Sequence, residues 1–276
     1  MASNKINLAK NGDINAFHEL YSDFQPQLKS YLYRLLVDRN EVEDIAHDTF
    51  LKAFDNVAGF DEKASLKSWV FRIATNLAYD RLRNRGRWSS DVMDKAKEHA
   101  HNNEYILVKM QSTSQHSKFD IREHIDFCFT CLSKVLPLDQ QIAVILKDIY
   151  NFKVKEIATI LDLTIPKVKH VLRFGRQAMT DIFDSKCALI NKKGACHQCS
   201  ELNAALNPKQ KQQELFIKDK LIPKDADKRK LYNLRKALIR PINPLNIEGA
   251  EIHDIFMQIN RKVEGEINQI DFNTNN

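Results

Sequence analysis

The chain has 276 residues, 43% of them apolar, and 42 basic against 36 acidic side chains give a formal net charge of +6. That length exceeds a usual single domain, the apolar content excludes wholesale disorder, and the seven Gly and seven Pro are too few for a turn-rich sandwich or barrel. No apolar run reaches the roughly 18 residues needed to span a bilayer, and the polar start lacks a signal-peptide core, so the expected compartment is the cytoplasm, with five reduced cysteines unless a metal holds them.

Charge is unevenly placed. Residues 1–85 balance 12 basic against 12 acidic groups, whereas residues 201–240 set 11 against 5. This permits contact with nucleic acid without demanding it. The first predicted helix starts after Asp13, whose carboxylate caps the run Ile14 to Phe24. Pro26 opens a second helix with Leu28, Leu32, Leu35 and Leu36 at helical spacing. Asn40 with Glu43 has the form of a capping box for a third helix ending near Asp55. The stretch Asn56 to Ala64, with Gly59, is predicted as a loop. Ser65 then caps the longest helix, with Leu66, Trp69, Val70, Ile73 and Leu77 on one stripe. The opposite face carries Arg72, Asn76, Asp80 and Arg83, spaced 4, 4 and 3 apart, and runs on into Arg85 and Arg87. Such amides, carboxylates and arginines can bind exposed base edges and backbone, although a solvated surface is the commoner role for such a face.

Residues 89–121 are rich in Ser, His, Asn, Gln and Lys and are expected to form a linker with at most one short helix. A second compact block runs from 122 to 186. Its first helix carries Ile125, Phe129, Leu132 and Leu136 and stops at Pro137. Within it, residues 155–176 have the pattern of a helix-turn-helix. Ile157, Ala158 and Leu161 give a short inner face, and Asp162-Leu163 makes a tight connection. Thr164 caps a second helix with Pro166 in its first turn. Val168, Leu172 and either Phe174 or Gly175 pack inward. Lys167, Lys169, His170, Arg173 and Arg176 are left facing out, as a helix lying in a major groove requires. The plainer alternative is a surface helix pair with a solvated basic face.

Two stretches taken together resemble a known family. Asp44-Ile-Ala-His-Asp-Thr-Phe-Leu-Lys-Ala-Phe54 and Ser65-Leu-Lys-Ser-Trp-Val-Phe-Arg-Ile-Ala-Thr-Asn-Leu-Ala-Tyr-Asp-Arg-Leu-Arg83 resemble region 2 of extracytoplasmic-function (ECF) sigma factors of the sigma-70 family. Leu136-Pro-Leu-Asp-Gln-Gln141 and the helix-turn-helix resemble their region 4. The resemblance implies an all-α fold of two small helical domains: a region 2 bundle over 1–88 and a region 4 helix-turn-helix over 122–186. The linker 89–121 joins them, and a mostly helical extension follows over 187–276.

It also implies a non-enzymatic initiation subunit that binds core RNA polymerase and directs it to promoters. Asp44, His47, Asp48 and Phe50 would dock on the polymerase clamp coiled coil, with region 4 near the flap. Asn56 to Phe60 would hold a flipped base of the −10 element. Arg72, Asn76, Asp80 and Arg83 would contact the unpaired strand. Lys167, Lys169, His170, Arg173 and Arg176 would read the −35 duplex, with Lys147 near phosphate. The recognition helix departs from the family pattern at Pro166, Lys167, Val171 and Phe174, which bears on the −35 sequence rather than on the role. The implied partners are core polymerase, promoter DNA and an anti-sigma factor, with no membrane. A stand-alone helix-turn-helix regulator, or a metal- or redox-responsive DNA-binding protein, is the alternative. The stand-alone regulator leaves the 44–54 helix and the Asn76/Asp80 face unused, and the metal or redox reading rests on the cysteines alone.

Cysteines stand apart from this pattern. Cys128-Phe-Thr-Cys131 and Cys196-His-Gln-Cys199 are two C-x-x-C pairs, enough thiolates for a tetrahedral zinc site. The 64-residue gap is long for a zinc ribbon, and Cys128 and Cys131 flank an apolar stripe where free cysteines commonly pack. Zinc, a thiol-disulfide sensor and plain core packing all remain open, and the sigma-factor role requires no cofactor. In the tail, helices are expected over Lys228 to Ile239 and Ile252 to Ile267, and its lysines suit phosphate contacts or a solvated face.

Overall fold

A computed structural model describes residues 2–116, 120–186, 227–247 and 250–271. Among the described residues there are 13 α-helices and no strand. They are α1 Ala2–Lys10, α2 Ile14–Ser22, α3 Gln25–Leu36, α4 Arg39–Asn56, α5 Leu66–Arg83, α6 Val92–His101, α7 Glu104–His116 and α8 Ile121–Ser133. There follow α9 Leu138–Val144, α10 Val154–Leu161, α11 Ile165–Lys186, α12 Lys228–Ile239 and α13 Ala250–Val263. A 3₁₀ turn, Val57–Gly59, follows α4, and a π-helical turn, Ile145–Ile149, follows α9.

Local chemistry accounts for most helix starts. Asp13 Oδ1 accepts from the amides of Asn15 and Ala16 at 2.9 and 3.0 Å, and Ser65 Oγ accepts from Ser68 N at 3.1 Å. Pro26 sits in the first turn of α3, where its missing N–H costs nothing. The third helix departs from the expected Asn40/Glu43 capping box. Asp38 is the cap, accepting from Glu41 N at 3.0 Å. Val37, at φ 56°, has just ended α3 in a left-handed turn, so the connection is two residues shorter than the Asn40 cap required.

The described residues within 1–86 and 138–175 form one compact unit, and those within 87–137 and 176–276 form another. This grouping differs from the boundaries expected from sequence, because 122–186 contributes to both. The first unit is built on Phe17, Tyr21, Leu28, Tyr31, Leu32 and Phe71, each no more than 1% exposed; burying side chains of this size contributes about 1.5–3 kcal/mol apiece. Helix α5 packs against α3, α4, α9 and α10. More than one of its sides is therefore covered. Val70, Phe71, Ala74, Ala78 and Leu82 are buried, while Trp69, Ile73 and Leu77 of the expected stripe are only half-buried.

In the second unit, α13 packs on α6, α7 and α8, and α12 packs on α8. Residues 89–121 are not the slack linker expected, since they hold two helices. Val92, Met93, Ala96 and Ala100 of α6, and Ile106 and Met110 of α7, are buried. Their helical spacing was hidden by the polar residues between them. Glu266 ties the chain end to this unit: its Oε1 accepts from Trp88 Nε1 at 2.6 Å, its Oε2 from Arg261 Nε at 3.2 Å, and Lys134 Nζ stands 3.9 Å away.

Candidate nucleic-acid interface

Two exposed polar surfaces stand on the first unit. On α4, Val42, Ile45, Ala46, Thr49 and Ala53 face the core, which turns Asp44, His47 and Asp48 to solvent. Phe50 is different. It is half-buried, with its ring 5.4 Å from Phe17 and 5.2 Å from Tyr21, and so braces α4 against the bundle. Leu51, 44% exposed, adjoins the same surface. Sequence reading passed over it because an apolar residue in a helix is assigned to the core by default.

At the end of α4, exposed Asn56 donates its amide N–H to the Lys52 carbonyl at 2.8 Å. Phe60 is 4% exposed, packed 5.3 Å from Trp69 with the Lys10 ammonium 5.6 Å over its ring. It anchors the turn from within. On α5, Asn76, Asp80 and Arg83 are exposed, while Arg72 is half-exposed and pairs with Asp162 at 3.3 Å. Tyr79, next to this face, donates to Asp139 Oδ1 at 3.3 Å; burial and the Asp139 carboxylate together raise its phenol above the usual range.

The second surface is the helix pair α10 and α11. Lys153 N donates to Glu156 Oε2 at 2.6 Å to open α10, Ile157 and Ile160 are buried, and Ala158 and Leu161 are half-buried. Asp162 takes the left-handed conformation, φ 55°, that makes the turn tight. Thr164 Oγ1 accepts from Lys167 N at 3.4 Å. Val168, Val171, Leu172 and Gly175 face inward, leaving Lys167, Lys169, His170 and Arg173 exposed and Arg176 half-buried. Phe174 is 47% exposed, which settles the Phe174 or Gly175 alternative in favour of the glycine. Lys147 lies in the π turn and donates to the Phe152 carbonyl at 3.0 Å.

Cys128 and Cys131 are buried on α8. Cys131 Sγ lies 3.8 Å from Met257 Sδ and 3.3 Å from Asn260 Nδ2, neighbours that suit a packed thiol better than a zinc thiolate. Among the described residues no group of three His, Cys, Asp or Glu could hold a metal. Cys196 and Cys199 lie outside the described residues. Also among the described residues, no helix is long and apolar enough to cross a membrane.

Comparison with known proteins agrees with this layout. Residues 20–87 match the family model for sigma-70 region 2, and residues 127–179 match that for sigma-70 region 4. The chain is 28% identical over 189 residues to the ECF RNA polymerase sigma factor SigW of Bacillus subtilis, covering 65% of this chain and 95% of that protein. It is 25% identical over 176 residues to the RNA polymerase sigma-H factor of Pseudomonas aeruginosa, covering 63% and 89%. A solved structure of CnrH in complex with the cytosolic domain of CnrY aligns over 65% of this chain and 95% of that one, with 19% identity and a TM-score of 0.44. With both region models matched in order and relatives spanned almost end to end, the chain belongs to the extracytoplasmic-function sigma factors of the sigma-70 family, non-enzymatic initiation factors that bind RNA polymerase and direct it to promoters.

Proposed function

We propose that this sigma factor divides its work among the surfaces described above. The exposed face of α4, with Asp44, His47 and Asp48, docks on the polymerase clamp coiled coil, and Phe50 acts by holding that helix in place. The turn from Asn56 to Phe60 receives a flipped base of the −10 element, Phe60 serving as its buried floor. Arg72, Asn76, Asp80 and Arg83 hold the unpaired strand, with amide and carboxylate on base edges and guanidinium groups on phosphates. Lys167, Lys169, His170, Arg173 and Arg176 enter the major groove of the −35 duplex, and Lys147 adds a phosphate contact. The protein acts in the cytoplasm, with core polymerase and promoter DNA as partners and an anti-sigma factor as its antagonist.

The observation that carries this reading is the pair of outward polar faces, one on α5 and one on α11, each held by a buried apolar face of the same helix. Reconstitution tests it: core polymerase with this chain makes promoter-specific transcripts that core alone does not. Asp48→Ala weakens polymerase binding, Asn76→Ala impairs strand opening, and Lys169→Ala loses about 1–3 kcal/mol of −35 affinity. Specific footprints from the free chain without polymerase, together with no sigma-dependent transcript, point to a stand-alone regulator and overturn the assignment.

A further inference from the structure

The turn assigned to the flipped base is held from outside the two helices it joins. Within it, Phe60 N donates to the Val57 carbonyl at 3.0 Å, and Lys63 N to Asp61 Oδ1 at 3.2 Å. Between these last two, Glu62 takes the left-handed conformation, φ 58°, which a residue with a Cβ keeps only where its surroundings over-determine it. What reaches it is α1. Lys10, in the last turn of that helix, places its ammonium 2.6 Å from Glu62 Oε1 and 5.6 Å over the Phe60 ring. A lone ion pair at a surface contributes little, but this cation has more than one partner. The ring lies within the reach of about 6 Å at which a cation is drawn to an aromatic face, and the last turn of a helix favours positive charge. The Lys10 side chain is only 23% exposed, against 47% for Glu62. Ala9 beside it is fully buried, and α1 packs on α2 and on the 3₁₀ turn, which fixes the point from which the lysine reaches out. Phe60 thus has two set neighbours, Trp69 of α5 at 5.3 Å and Lys10 of α1.

We propose that Lys10 is a positioning residue for −10 recognition: by tying Glu62 and Phe60 to α1, it sets the shape of the turn that takes the extruded base. This rests on the functional reading above, which gives that turn the base. Extruding a base from its stack is unfavourable, and contacts in the receiving pocket must offset it. A turn already in its binding shape loses none of that gain to ordering. Lys10 acts through Phe60 and Glu62 rather than on the base itself. Its loss therefore weakens selection at one base and leaves the polar face of α5 and the basic face of α11 as they were.

The test uses holoenzyme assembled from core polymerase and the full chain, on a promoter selected from random sequence for transcription by the parent protein. All four bases are placed in turn at each −10 position, and relative binding is measured by competition. Lys10→Met keeps an apolar stem and removes the cation, and Glu62→Gln removes its partner. Each lowers discrimination severalfold at one −10 position, the same in both, and leaves the other positions and the −35 element unchanged. Lys10→Arg, which can still pair with a carboxylate and stack on a ring, restores the parent pattern. Lys10→Met combined with Glu62→Gln loses no more than either alone, since both break one linkage. An unchanged pattern in Lys10→Met overturns the assignment, and so does an equal loss at every position, which marks a merely structural role. Recovery in the double variant also overturns it, because Lys10 would then only mask a carboxylate from the DNA. A parent holoenzyme that yields no sigma-dependent transcript sinks the functional reading and this assignment together; a transcribing parent beside an indifferent Lys10→Met sinks the assignment alone.

Discussion

Phe174 is outward because Gly175 is inward. A Cβ on residue 175 would stand 2.7 Å from Val144 Cγ2, so only a residue without one fits, and the ring beside it goes to solvent. There it lies 4.5 Å from the His170 ring, with the Arg173 guanidinium 5.8 Å over it. On the proposed reading, in which this basic helix enters the major groove, a flat apolar side chain suits the thymine methyl, the one apolar feature there. Replacing single −35 thymines by uracil is therefore expected to cost the parent protein about 0.8 kcal/mol at one position, the value of a buried methyl-sized group, and to cost Phe174→Ala nothing there. Holoenzyme binding to a uracil-scanned promoter measures it; equal losses in both proteins would refute a methyl contact. A second residue-scale effect belongs to His253, buried with its ring stacked 5.0 Å from Phe127 and tilted 5.7 Å from His124, and with neither ring nitrogen hydrogen-bonded among the described residues. Burial, then the nearby His124 charge, holds its pKa well below the usual histidine value. Its folded pKa lies below the unfolded value near 6.5, so the stability it allows is complete above about pH 6.5. That stability is lost as pH falls from there toward the folded value, by up to about 1.4 kcal/mol per unit. Melting temperature should drop between pH 7.5 and 5.5, and His253→Phe should flatten that dependence.

Helix by helix, what the sequence disclosed was what nearest-neighbour chemistry decides. Asp13, Ser65 and Thr164 cap the helices they were expected to cap, because a side-chain oxygen reaching an amide two or three residues on needs no tertiary partner. The helix-turn-helix was legible for the same reason: its turn, cap and apolar spacing lie within 22 residues. Asp38 was missed because its choice over Asn40 depends on where α3 ends, which Val37 decides with a left-handed turn that no residue type there advertises. Phe60 and Phe50 were read as contacts, yet they pack inward; an aromatic at a surface motif and an aromatic bracing that motif have the same letter. The α9–α11 crossing permits a sharper test of element packing. Gly175→Ala should gain helix propensity of about 1 kcal/mol but meet Val144 Cγ2 at 2.7 Å and the Gln140 Cβ at 3.3 Å. In the parent background the substitution should be destabilising. In Val144→Ala, where the obstructing methyl is gone, it should turn stabilising. Denaturant midpoints of the four proteins give the sign change, and an additive cycle would show that the crossing is looser than this.

At the scale of the whole chain, the residues between and after the two matched regions are not mere connections. Residues 87–137 and the described part of the tail build a unit of their own, and its closure depends on long-range polar contacts that no local pattern reveals. Glu266 is the centre of them. Its side chain is 2% exposed, as is that of Lys134, and Arg261 is 7% exposed; Glu264, two residues earlier, accepts from Ser89 N at 2.8 Å. Trp88 and Ser89 therefore anchor to residues about 175 positions later, closing the second unit with one short segment. Removing the carboxylate takes the acceptor from the Trp88 indole N–H and a buried counter-charge from Lys134 and Arg261, so Glu266→Ala should destabilise the second unit, by about 3–5 kcal/mol for a broken buried pair. Glu266→Gln keeps an acceptor for the indole while losing the charge, and should cost less. Because the pair is buried, added salt should change the loss little. The partners named for this carboxylate, Trp88, Arg261 and Lys134, all belong to the second unit, so the heat-unfolding profile of Glu266→Ala should separate into an early step and a step at the parent temperature. A single shifted transition would refute a loss confined to the second unit.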